Sequence, residues 1–64
     1  MKRVKVTSLT APHGRTFDSL RIEHDKGIVG HVQSGPCELG YYKVLFPSVE
    51  KPLEVHRTML TEVR

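Results

Sequence analysis

Gly30 stands inside the apolar run Ile28-Val29-Gly30-His31-Val32, and that position limits what the chain can build. Ile28, Val29 and Val32 are β-branched and suit a strand. A glycine within such a run marks a bulge, a sharp bend or a close crossing of backbone. The residues just before it, Asp25-Lys26-Gly27, suit a tight reversal, because glycine has no Cβ to clash at positive φ. A turn feeding a sharply bent strand is what a small barrel needs to fold over on itself.

Alternation supplies the other strands. Arg3-Val4-Lys5-Val6-Thr7-Ser8 places Val4 and Val6 on one face and Arg3, Lys5 and Thr7 on the other, a half-buried strand. Leu9 to Ser19 has no sustained period and is punctuated by Pro12 and Gly14. It reads as a long excursion in which Phe17 folds back onto the core. Leu20-Arg21-Ile22-Glu23-His24 alternates and reads as a short strand with Leu20 and Ile22 on one face. Ile28–Gln33 follows as a strand, then a turn-rich link from Ser34 to Gly40. Tyr41–Phe46 carries the strongest strand signal, with Tyr42, Val44 and Phe46 on one face and Tyr41, Lys43 and Leu45 on the other. Pro47 and Pro52 bracket a loop that cannot easily join a central ladder. Leu53–His56 alternates as a strand. Beyond it two readings stand: a turn at Thr58-Met59-Leu60 with a closing strand through Val63, or a helix opened by Pro52 with Val55, Met59 and Val63 every fourth residue. The first suits a barrel. About five short strands separated by Gly and Pro indicate an all-β small barrel.

Size restricts function. Sixty-four residues make one domain, residues 1–64. A core this small rarely supplies more than roughly 3–5 kcal/mol of net stability. It leaves no room for an enclosed substrate cavity, so a binding surface is expected. Ten Lys and Arg against seven Asp and Glu give a net charge of +3, which favours an acidic partner. Cys37 is the only cysteine, so no intramolecular disulfide can form and a reduced cytoplasmic thiol is expected. Lys5 and Thr7 interrupt the apolar residues behind the basic start, and no run approaches the ~20 residues of a membrane span. A membrane partner is therefore not expected.

No residue pattern points to catalysis. His13, His24, His31, His56 and Cys37 lack the paired spacing of common zinc sites, and no metal is expected. Cys37 follows Pro36 in a turn-rich link, a poor place to hold a nucleophile against His31 or His56. Gly27 to Gly30 lacks the Gly-Lys-Ser/Thr ending and the following helix of a phosphate loop, and the dinucleotide fingerprint fails likewise. The expectation is a non-enzyme without cofactor.

The order of signals along the chain carries a resemblance. Val4-x-Val6 comes first, then the long loop, Gly27-x-x-Gly30-x-Val32, Val44-Leu45-Phe46, an apolar strand, a leucine-bearing turn and a closing strand. This order resembles SH3-like small barrels. Within them it looks most like the ferredoxin-docking stromal subunit of photosystem I, the variable chain of ferredoxin–thioredoxin reductase, and KOW-type modules. The resemblance implies a partly open barrel with a long first loop, Thr10 to Leu20, acting as an accessory or regulatory binder. Arg15, Phe17 and Arg21 on or beside that loop, with Tyr41 and Lys43 on the central strand, are the candidate contacts for a protein partner with an acidic surface. The alternative is a small KOW-like nucleic-acid-binding module led by Lys2, Arg3, Lys5 and Lys43. An unclosed barrel also leaves strand edges through which a homodimer would form.

Overall fold

Val4 and Val6 are buried while Arg3 and Lys5 between them are exposed, so the first strand has one dry and one wet face. The computed structural model describes residues 2–64. It contains β1 (Arg3–Val6), α1 (Arg21–Lys26), β2 (Gly30–Ser34), β3 (Tyr41–Leu45), β4 (Leu53–His56) and β5 (Leu60–Glu62). The strands form one antiparallel sheet in the order β4-β3-β2-β1-β5. β4 and β5 are its two edges and do not pair with each other, so the sheet is an open SH3-like fold and not a closed barrel.

Register places one residue set on the dry face. Val4 opposes Gly30, Val32 opposes Val44, Tyr42 opposes Val55, and Val6 opposes Leu60. Val4, Val6, Val44, Phe46, Val55, Met59 and Leu60 form the core with Ala11 and Leu20 from the long β1–β2 excursion. Gly30 is a point of close approach. A Cβ there would stand 2.7 Å from the Phe46 ring and from Val44 Cγ1. The irregularity lies three residues further on, where the register shifts between Val32 and Ser34 and leaves Gln33 as the extra residue.

The excursion departs from the sequence reading. Leu20–His24 is not a strand: a 3₁₀ turn at Asp18–Leu20 runs into α1. Leu20 and Glu23 point inward at 1% and 3% exposure, whereas Ile22 is 59% exposed. That is helical i, i+3 spacing, so the apparent alternation of Leu20 and Ile22 was coincidental. Gly27 ends α1 in the left-handed conformation, φ 62°, with its N–H bonded to the Glu23 and His24 carbonyls. Ahead of α1 the chain makes a small hairpin. Thr10 bridges Thr16, the Ala11 N–H donates to the Arg15 carbonyl, and the Phe17 N–H donates to the Leu9 carbonyl. Phe17 packs half-buried against the core, as expected.

The strand-turn-strand reading holds at the other end. A 3₁₀ turn at Arg57–Met59 joins β4 to β5 and buries Met59. His56 Nδ1 accepts the Thr58 N–H and caps it. The core also holds a carboxylate: Glu23 Oε2 accepts the Ser48 hydroxyl at 2.6 Å, while Oε1 has no partner among the described residues.

Candidate functional site

The Gly35–Gly40 link is held as a rigid rim by its backbone. The Cys37 N–H donates to the Tyr41 carbonyl and the Gly40 N–H to the Cys37 carbonyl. The Arg57 N–H donates to the Gly40 carbonyl and ties the rim to the 3₁₀ turn after β4. Gly40 has φ 85°, and a Cβ there would also meet the His56 ring at 2.9 Å, so glycine is required twice over.

Between this rim and the wet face of β3 and β4 lies a half-open groove of about 330 Å³. Pro36, Cys37, Leu39 and Tyr41 give it an apolar lining, and Lys43 and Glu54 give it charge. Leu39 is 76% exposed. Lys43 and Glu54 oppose each other in register, yet neither takes part in an ion pair among the described residues. A second hollow of about 340 Å³ lies between His31, Leu45, Pro47 and Glu50.

Tyr41 connects the groove to the rest of the molecule. Its ring meets His56 edge-on at 5.0 Å between centroids. Its hydroxyl lies 2.8 Å from His13 Nε2. His13 Nδ1 accepts the Arg15 N–H at 3.3 Å, so the ring proton sits on Nε2 and is donated to the Tyr41 oxygen. The tip of the small hairpin bridged by Thr10 and Thr16 is thereby fastened to the start of β3.

The sequence candidates divide accordingly. Tyr41 and Lys43 share the groove. Arg15 does not line the groove: it lies on the hairpin, its backbone N–H bonded to His13 and its guanidinium 5.1 Å from the centroid of the Phe17 ring. Arg21 is apart: it sits on α1, paired with Asp18 at 3.1 Å, with both side chains exposed. Lys2, Arg3 and Lys5 are not at the groove. Lys2 immediately precedes β1, its carbonyl accepting the Val32 N–H, and Arg3 and Lys5 lie on β1, opposing His31 and Thr61. Sequence reasoning missed Leu39, His13 and Glu54. Leu39 had one signal, a large apolar residue in a turn with no alternating partner.

Among the described residues no group of three or more His, Cys, Asp or Glu side chains could hold a metal ion. Cys37 is a free, exposed thiol. No helix among the described residues is long and apolar enough to cross a membrane. Compared with protein-family models, curated proteins and solved structures, the chain finds a match in none of the three.

Proposed function

We propose that residues 1–64 act as one non-catalytic docking unit, which holds a protein partner in the groove beside Tyr41. The observation that carries this is Leu39, a large apolar side chain 76% exposed on the rim of a backbone-braced groove. An aliphatic and an aromatic side chain bordering a concavity form the kind of patch that anchors partners. The groove's volume is at the small end for ligand sites, room for one or two side chains. Lys43 is free to meet a carboxylate of the partner, and Arg15 and Phe17 extend the surface along the hairpin. The resemblance to SH3-like accessory domains supports the reading by fold analogy alone.

Leu39→Ser tests it. The side chain is exposed, so the melting temperature should stay near that of the wild type. Affinity for a partner isolated with the wild-type chain should fall about tenfold or more, the loss expected when an interface anchor is removed. A partner bound equally well by wild type, Leu39→Ser and Tyr41→Ala would remove the groove from the account.

A further inference from the structure

We infer that the wet face of the three central strands binds the phosphate backbone of a single-stranded nucleic acid, at a surface that shares Lys43 with the groove and extends away from it to Arg3 and Lys5. The sheet's charges are sorted by strand. β1, β2 and β3 read RVKV, GHVQS and YYKVL, with no Asp or Glu among them. The carboxylates of the sheet lie only on the edge strands, Glu54 on β4 and Glu62 on β5. All three cations of the central strands, Arg3, Lys5 and Lys43, are exposed. None joins an ion pair among the described residues.

Register places these cations on one surface. Arg3 opposes His31, and His31 opposes Leu45, which lies two residues from Lys43 on the same face of β3. With strands about 4.8 Å apart, β1 and β3 stand about 10 Å from each other, and Lys5 lies about 7 Å from Arg3 along β1. The strip is therefore short and continuous. Glu54 opposes Lys43 at its β4 edge, Glu50 borders the hollow beside His31 and Leu45, and Glu62 on β5 is paired with Val4, whose side chain faces away from the strip.

The polarity of the strip selects the occupant. Between the cations stand exposed His31, Gln33 and Ser34, and Leu45 is half-buried. Protein interfaces are built on an apolar, charge-depleted centre, which this strip lacks. Nucleic-acid interfaces are polar and positively charged. The exposed His31 ring, in line with Arg3, offers a plane on which an unpaired base can stack.

The test is fluorescence anisotropy with a labelled oligouridylate of about 16 nucleotides, the upper end of single-module sites. Three phosphate contacts predict a slope of log K against log salt of about −2. Arg3→Gln and Lys5→Gln should each make that slope shallower by about 0.7. Lys26→Gln, an exposed cation on α1, should leave it unchanged. Melting temperatures of the variants show that they remain folded. Absence of binding at low salt overturns the inference, and so does binding whose salt slope ignores Arg3 and Lys5. Equal competition by polyglutamate would also overturn it, and would assign the strip to an acidic protein surface.

Discussion

Gly30 gives the sharpest test of how this small core is assembled. Placing a methyl group there sets a carbon 2.7 Å from Cδ1 and Cε1 of Phe46 and from Cγ1 of Val44. Carbon atoms rest about 3.5–4.0 Å apart, so each neighbour must retreat by about 1 Å. Phe46 and Val44 are both 0% exposed and have no solvent to move into. Overpacking of this kind costs about 1–3 kcal/mol. Removing a glycine from the unfolded chain returns about 0.4–1 kcal/mol, which the clash exceeds. Gly30→Ala should therefore lose about 1–2 kcal/mol, and Gly30→Val more. Against a total that rarely exceeds roughly 3–5 kcal/mol in a core this small, that is a large fraction of the stability. Urea unfolding followed by far-UV circular dichroism should show a lower midpoint with an unchanged slope. The melting temperature should fall by about 4–8 °C for each kcal/mol lost. Val44→Ala placed in the Gly30→Ala chain should cost less than the two changes summed, because the same methyl groups collide. Gly30→Ala as stable as the wild type would refute the close-packing account. A folded Gly30→Val chain that had lost its partner would make this stretch a contact surface instead.

The two buried polar residues, Glu23 and His56, give further expected outcomes. Ser48→Ala removes the only hydrogen bond to the Glu23 carboxylate among the described residues and should cost about 1–3 kcal/mol. Glu23→Met, by contrast, should be nearly neutral or stabilising in the same denaturation assay, since it removes the unpartnered oxygen with its cause. His56→Ala should cost at least about 1 kcal/mol through loss of the cap on the Arg57–Met59 turn. His56→Asn, which can restore that cap, should recover part of the loss.

The strands were legible because their periods are local. Val4, Val6 and Val55 alternate with polar neighbours, Tyr42, Val44 and Phe46 recur at every second position of one run, and Val4, Val6, Val44, Phe46 and Val55 face inward as that period indicates. α1 was not legible, because six residues give a helix too few inward positions to display its period. Leu20 and Ile22 also mimic a strand, and the inward residue that breaks the pattern is a glutamate. Its reason for facing inward, Ser48, is 25 residues away in sequence. The groove follows the same division. Tyr41 and Lys43 could be placed on one strand face from their spacing. The His13 contact to Tyr41 spans 28 residues, and the apolar rim exists only once the 35–40 link has folded against β3. Neither has a local signal.

The position of β1 has a kinetic consequence. It is flanked by β2 on one side and β5 on the other, so Val4 meets both Gly30 and Glu62. The second partner lies most of the chain away, and its loop must close before any contact rewards the closure. Folding should then run on the millisecond-to-second scale of non-local β topologies, not the microseconds of helical domains of this length. Until β5 docks, the side of β1 that it will cover stays open, and the nascent sheet offers any neighbouring extended chain an unclaimed row of hydrogen bonds.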